Sequence, residues 1–404
     1  MIAFHVPPLR GSSGIQRTLG FARYLPDFGW EPHILSAHPR AYEATDSGTG
    51  QSVDVPIHRA FALDTARHLA MRGRYPATLA LPDRWASWWL GALPSGLRLI
   101  RRLQPAALWS TYPIATAHAI GHTLARLTGI HWVADFRDPM AQEGYPSDPA
   151  VWRSFVRIEA RTVARAQYSV FTTPGAARQY MQRYPQQYAR IRVIENGYDD
   201  EAFSGLQPVR REGDRERLLL LHSGIVYPSE RDPAALFAAL GALRERGVLD
   251  PQRFLLRFRA PIHGQLLRDL ASRHRVAELV EIAEPIPYRA ALAEMLDADG
   301  LVVLQAANCN EQIPAKFYEY LRAGRPILGL ADAAGDTASA MRRAGVAHIA
   351  ALEDAAGTAA VLERFVDDLH GGRALCPDGA VTGAATRRAR ASELADLLNR
   401  AAGA

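Results

Sequence analysis

Within residues 308–330, NCNEQIPAKFYEYLRAGRPILGL, two carboxylates, Glu311 and Glu319, stand eight positions apart with Lys316 between them. Lys316 is the only lysine among 404 residues; every other basic position is arginine. The apolar run GLVVLQ predicts a strand, the following loop carries Glu311, and a helix is expected from about Ala315. Ala-Gly-Arg-Pro at 323–326 stops that helix before the next apolar strand, PILGLA. A cation and free backbone amides at a helix N-terminus, beyond the carboxyl end of a parallel strand, suit phosphate. A carboxylate on each side suits sugar hydroxyls. The set fits a ligand that carries both, a nucleotide-sugar.

Other stretches could share in such chemistry. The turn HVPPLRGSSGIQRTLG sets Gly11 and Gly14 around two serines before a helix, where a backbone can approach an anion closely. An ordinary strand-to-helix turn reads the same way. In STYPIATAHAIGH, His118 and His122 lie four apart on a helix that follows the strand ALWSTY. That spacing can hold a metal, but no third ligand is evident, and zinc is discounted. The strand HWVADF runs into Asp135, Arg137 and Asp138, a group suited to acid/base work or to holding an acceptor. Arg137 paired with either acid would equally serve as a structural cap. Trp85, Trp88 and Trp89, followed by Arg98, Arg101 and Arg102, suit an apolar substrate or a membrane interface. An amphipathic packing helix has the same pattern. In the second half, LLLLHSG ends in Gly224, and Arg231 precedes a helix, where its guanidinium can fork onto a diphosphate. The Pro-rich loop around Ile286 follows a strand and offers a place for a flat base.

The elements that must position these groups alternate as strand and helix, twice over, which predicts parallel doubly wound sheets. Apolar strands are expected at 1–6, 32–37, 55–60, 107–112, 131–136, 168–173 and 191–196, then at 217–223, 253–259, 279–284, 301–305, 326–331 and 346–351. Helices are expected between them, including 15–28, 94–103, 115–128 and 315–323. Gly, Asp, Pro and charge replace apolar periodicity between 196 and 217, so the boundary belongs there. The domains are therefore 1–198 and 199–383, with a last helix over 384–404 expected to cross back to the first. Loops 39–52, 61–81 and 139–148 are expected to set substrate choice.

Composition bounds the rest. A hydrophobic share of 48% and a charged share of 22% are those of a soluble globular protein. Residues 1–200 hold 22 arginines against 15 acids, so the first half is basic enough to face an acidic substrate or an anionic membrane. No basic stripe interleaved with aromatics suggests nucleic acid. Two cysteines, Cys309 and Cys376, argue for a reducing compartment without disulfides. No apolar run is long enough to span a membrane and no signal peptide precedes MIAFHV, so the expected setting is cytoplasmic, or peripheral on the cytosolic face.

Taken together, these motifs resemble the retaining GT-B glycosyltransferases of the family 4-like group. The resemblance is carried by Glu-x7-Glu, Glu311-QIPAKFY-Glu319, followed by Ala323-Gly324 and Pro326. The turn at 11–14, the STYP…AHAIGH…GIHWVADFRDP block, VIENGYDDEAF and HSG…Arg231-Asp-Pro support it. It implies two Rossmann-like domains facing a central cleft, with acceptor bound by the first and nucleotide-sugar, UDP-sugar favoured, by the second. It further implies that Glu311 binds the donor sugar and Glu319 the ribose. Gly11, Gly14, Gly224, Arg231, Ile286, Ile313, Lys316 and Phe317 complete the donor set. His118 takes the place of the family's donor-side histidine, and it joins Glu311 and Asp138 as a catalytic candidate. Trp85, Trp88, Arg137 and Asp138 are acceptor candidates. Two departures stand out: Ile225 replaces the arginine expected beside Gly224, which makes Lys316 the substitute cation, and Pro314 lacks an N–H. The implied reaction is retaining transfer to a glycan or lipid-linked acceptor in polysaccharide or cell-envelope synthesis, with no cofactor and no metal. The oligomeric state is left open. Two other readings remain, a nucleotide-sugar 2-epimerase of the same fold and a degenerate sugar-binding relative.

Overall fold

The computed structural model describes residues 1–10, 13–45, 54–208 and 217–403. The chain forms two compact units, Met1–Asn196 with Arg387–Ala404, and Gly197–Thr386. Both are parallel α/β structures, as the alternating pattern predicts.

In the first unit the strands are β1 (Ile34–Ala37), β2 (Ile57–Ala60), β3 (Ala107–Thr111), β4 (His131–Arg137), β5 (Tyr168–Phe171) and β6 (Ile191–Val193). β1 pairs with β2, and β3 to β6 pair in sequence order, all parallel. The expected strand at 1–6 is only a bridge. Ile2 N donates to Trp109 O at 2.7 Å and Leu35 N donates to Met1 O at 2.7 Å, so this segment lies between β1 and β3. The consecutive prolines Pro7 and Pro8 then end any further pairing, because neither has an N–H to give. The spatial order is β2-β1-(1–6)-β3-β4-β5-β6, with its reversal between the 1–6 segment and β3. In doubly wound sheets that reversal marks the ligand crevice.

A helix was expected over 94–103, but it begins at Trp88 and spans Trp88–Leu103 with Pro94 inside it. The bond that Pro94 cannot make would go to the Leu90 carbonyl, and Leu90 is a largely exposed residue where water can take its place. The helix Arg387–Ala402 buries Leu394, Leu397 and Leu398 against the first unit's own core, and Trp30 Nε1 donates to Asn399 Oδ1 at 3.0 Å.

In the second unit the strands are β7 (Leu218–Ser223), β8 (Phe254–Arg259), β9 (Val280–Ala283), β10 (Gly300–Gln305), β11 (Ile327–Ala331) and β12 (His348–Ala350). Their order is β12-β11-β10-β7-β8-β9. β7 and β10 are buried runs, since helices cover both faces of a parallel sheet. The order reverses between β7 and β10, so the residues just past Ser223 and Gln305 flank that unit's crevice.

Candidate functional site

In the second unit, β7 ends at Ser223 and the chain turns at Gly224, whose φ of +112° glycine adopts without strain. A Cβ at Gly224 would stand 3.1 Å from Lys316 Nζ, so the missing side chain is what admits the ammonium. Lys316 is the second residue of the helix Ala315–Ala323, which Gly324 closes in the left-handed region. Its Nζ lies 2.9 Å from His222 Nε2, and His222 Nδ1 lies 2.9 Å from Val302 O on β10. Tyr320, one turn along the helix, reaches the same strand end: its hydroxyl oxygen accepts from Ser223 N at 2.8 Å. The helix is thereby fastened to the end of β7 by both Lys316 and Tyr320.

Arg231 stands opposite. Its Nη1 donates to Ile225 O at 3.2 Å and its guanidinium carbon lies 5.2 Å from the Tyr227 ring centre. Its Nε is buried without a hydrogen-bond partner among the described residues. Lys316 is half-buried by surface, but its ammonium end is enclosed by protein. Burial first, then the charge of Arg231, pushes its pKa well below the ordinary lysine value, while Glu319 pulls it back up. Two cations held near each other in a partly desolvated turn repel, and an anion bound between them would relieve that repulsion. The loops are tied together here: Ala306 N donates to Glu230 O at 2.8 Å and Asn308 Nδ2 to Ser229 O at 2.7 Å.

Glu319 is half-exposed on the same helix, and its Oε1 accepts from the Tyr288 hydroxyl at 2.7 Å. Tyr288 opens the helix Tyr288–Asp297 directly after the Pro285–Ile286–Pro287 loop, in which Ile286 is half-buried. Arg257 and Arg259 on β8 hold that helix through Glu294, with bonds of 2.7 to 2.8 Å. Glu311 lies half-buried in the loop after β10, between Asn310, whose Nδ2 donates to Asp332 at 2.7 Å, and Gln312, whose carbonyl accepts from Thr337 at 2.7 Å. Gly224, Arg231, Lys316, Glu319 and the Ile286 loop thus belong to one end of one sheet. Ile313 and Phe317 differ from expectation: their side chains are buried in the second unit's core. Only their backbone can face a ligand. Pro314 caps the helix without an N–H, as its sequence position implies, and leaves the amides of Ala315 and Lys316 as first-turn donors.

In the first unit, Gly14 is the second residue of the helix Ser13–Tyr24, and a Cβ there would meet His5 Nδ1 at 2.6 Å and Arg137 Nη1 at 2.8 Å. Arg137 sits on a register shift at the end of β4 with φ +62°, a conformation that costs a non-glycine residue about 1–3 kcal/mol. Asp138 follows it, half-exposed, with Thr172 Oγ1 at 3.5 Å from its Oδ1. Burial, then the charge of Arg137, lowers the His5 pKa to about 4. Gly11 lies outside the described residues.

Two expectations for this unit change, those for His118 and for the two indoles. His118 has no exposed surface; its Nδ1 lies 2.7 Å from Ser110 Oγ, and Phe136 and Trp132 pack on its ring. Burial lowers its pKa to about 3, so it is a neutral core histidine rather than one aimed at a sugar. Trp88 is fully buried, and Trp85 packs on Phe4 at 4.8 Å while its Nε1 donates to Ala41 O at 2.9 Å. Trp88 belongs to the core beside Phe4, with ring centres 5.7 Å apart, and the half-buried Trp85 packs against the same cluster. Asp135 is equally structural, held by Arg17 through bonds of 2.8 and 3.0 Å.

His222, Tyr288, Tyr320 and His5 have no place in the sequence reading. His222 alone left a trace there, as the one titratable side chain within the run LLLLHS. Among the described residues, no group of three or more His, Cys, Asp or Glu could hold a metal, and no helix is long and apolar enough to cross a membrane. An apolar cavity of about 540 Å³ does exist in the first unit, but it lies by Met1, His33 and Ala107 at the amino ends of the strands, away from this chemistry.

Residues 13–197 match the model of the glycosyl transferase 4-like domain. A comparison of the sequence with curated proteins returns no match. Among solved structures, sucrose-phosphate synthase from Thermosynechococcus elongatus superposes with a TM-score of 0.67 at 15% identity, over 99% of this chain and 98% of that one. HepE of Anabaena, in complex with UDP, gives 0.64 at 12% identity, over 98% and 93%. An α,α-trehalose-phosphate synthase (UDP-forming) from Burkholderia vietnamiensis gives 0.65 at 15% identity, over 100% and 99%. At these identities the likeness concerns the fold.

Proposed function

With residues 13–197 matching a glycosyl transferase 4-like domain and the GT-B fold running through the whole chain, we propose that this protein transfers a sugar from a UDP-sugar to a cytosol-facing glycan or lipid-linked acceptor, with retention at the anomeric carbon. The observation that carries the donor half is the convergence of Lys316 and Arg231 on the Gly224 turn. The diphosphate lies between these cations and the first-turn amides of the helix Ala315–Ala323. Glu319 takes the ribose, the loop at Ile286 takes the base, and Glu311 takes the sugar hydroxyls. The UDP complex of a structurally similar protein supports uridine as the base.

Catalysis then consists of holding the sugar in place and stabilising the departing diphosphate, whose negative charge grows as the glycosidic bond breaks. Lys316 and Arg231 meet that charge, each contributing about 2–4 kcal/mol by analogy with removed oxyanion donors. The side-chain cations do this without a step routed through a metal. Asp138 and Arg137, at the end of β4, orient the acceptor.

The acceptor half rests on a surface of the first unit. Leu69, Met71, Tyr75 and Leu79 are exposed, Met71 at 82%, among the exposed arginines Arg67, Arg72 and Arg74. Apolar tips amid arginines suit the surface of an anionic membrane, where a lipid-linked acceptor resides.

A thermal-shift panel of UDP-, GDP-, TDP- and ADP-sugars tests the donor reading, with stabilisation by a UDP-sugar expected. NMR of the stabilising donor, with and without acceptor, separates the alternatives. Turnover of donor alone to an epimer contradicts transfer, and a product of inverted configuration contradicts retention.

A further inference from the structure

Lys316 does not reach the Gly224 turn unaided. Its ammonium nitrogen rests 2.9 Å from Nε2 of His222, a residue with no exposed surface whose other nitrogen lies 2.9 Å from the Val302 carbonyl. A carbonyl oxygen only accepts, so Nδ1 must carry the proton and donate it. Nε2 of the neutral ring is then a lone pair, and the partner that fills it must be a donor. An ammonium donates three hydrogens and accepts none, so the bond runs from Lys316 to His222. β10 thereby sets the tautomer of a histidine on β7, and that histidine sets the position of a lysine on the helix Ala315–Ala323. The three elements are the ones that bound the crevice. The Phe258 ring packs beside the imidazole, with ring centres 5.7 Å apart.

We propose that His222 is a positioning residue for diphosphate binding: with its Nδ1 proton committed to Val302, its Nε2 lone pair holds the Lys316 ammonium at the Gly224 turn. The proposal rests on the reading of this turn as the diphosphate site. It accounts for the single lysine of the chain being paired with a neutral acceptor rather than a carboxylate. A carboxylate at His222 would neutralise the charge the ligand needs, whereas an imidazole lone pair aims the ammonium and leaves its charge and two of its hydrogens for the phosphates. Burial of the ring, and then the Lys316 charge, push the His222 pKa well below the usual value, against the opposing pull of the Val302 and Ile225 backbone groups at the ring.

Isothermal titration of the full chain with UDP, on His222→Phe and His222→Gln in both the Lys316 and the Lys316→Ala backgrounds, tests this. His222→Phe keeps the ring volume without the acceptor and should weaken UDP about tenfold, the order of one lost charge-assisted bond. His222→Gln, whose Oε1 can stand in for Nε2, should stay within about threefold of wild type. In the Lys316→Ala background, His222→Phe should change nothing further. Equal losses in both backgrounds would make His222 a packing residue only, and wild-type affinity in His222→Phe would likewise overturn the proposal. If His222→Phe does not fold, the imidazole ¹⁵N spectrum of the wild type decides. An Nδ1–H tautomer whose Nε2 resonance moves on Lys316→Ala is expected, and an Nε2–H tautomer or an unmoved resonance overturns it. Absence of UDP binding by every form, wild type included, would remove the diphosphate reading itself, a pattern distinct from the others.

Discussion

The hydroxyl of Tyr288 donates to Oε1 of Glu319 at 2.7 Å, joining the loop after β9 to the helix that carries the Glu-x7-Glu motif. Glu319 is therefore aimed before any ligand arrives. Tyr288→Phe removes that bond while keeping the ring, and should weaken UDP about three- to tenfold, with kcat at saturating donor little changed. An unchanged UDP affinity would mean that Glu319 is aimed by other contacts.

The two glutamates should separate in their effects. Glu319→Gln should weaken UDP itself, because the ribose belongs to the nucleotide. Glu311→Gln should leave UDP affinity near wild type and lower turnover of the sugar nucleotide on the order of a hundredfold, since its partner is the sugar. Parallel UDP titrations and steady-state kinetics check this, and equal losses of UDP affinity would merge the two roles.

That motif was legible in the sequence because it needs two acids at fixed spacing around a helix start, and the structure has that helix at Ala315–Ala323. The parallel sheets were legible for a related reason: strands covered on both faces are continuous apolar runs such as LLLLHS. What was not legible depends on partners far along the chain. His222 meets Lys316 94 positions later. His118 reads as a crevice residue until Ser110 and Trp132 are seen enclosing it. Indoles at helical spacing look alike whether they face a ligand or a core, and Phe4 and Ala41 decide for the core. Ile313 and Phe317 share the motif's spacing with Lys316 but lie on the inward face of the loop and helix, in one buried cluster with Leu219, Leu221 and Leu301 from distant strands.

Trp88 as a core residue makes a prediction opposite to Trp88 as an acceptor contact. Trp88→Ala should cost about 3–5 kcal/mol in urea denaturation, the usual penalty for a large buried aromatic. A variant of undiminished stability with a raised KM for acceptor alone would return Trp88 to the acceptor site.

Acid should destabilise the first unit. His118 has a folded pKa of about 3 and His5 one of about 4, against 6.5 for an unperturbed histidine. Between those limits the unfolded chain binds protons that the folded chain does not, so stability falls as pH falls, by up to about 1.4 kcal/mol per pH unit for each histidine. Above pH 6.5 neither group contributes a slope. Urea midpoints from pH 7 to pH 4 should show this decline, and His118→Phe should make it shallower, leaving the share of His5. An unchanged slope in that variant would place the titrating groups elsewhere.

Titration of the intact chain with UDP tests the donor site most directly. The wild type should bind in the micromolar range, roughly 1–100 μM as for many enzyme ligands. Lys316→Ala should weaken that about tenfold or more, and Lys316→Arg should restore only part, because a planar fork and a point charge differ in reach. No binding of UDP, GDP, TDP or ADP by the wild type, or equal UDP affinity in wild type and Lys316→Ala, would contradict a diphosphate held by Lys316 at the Gly224 turn.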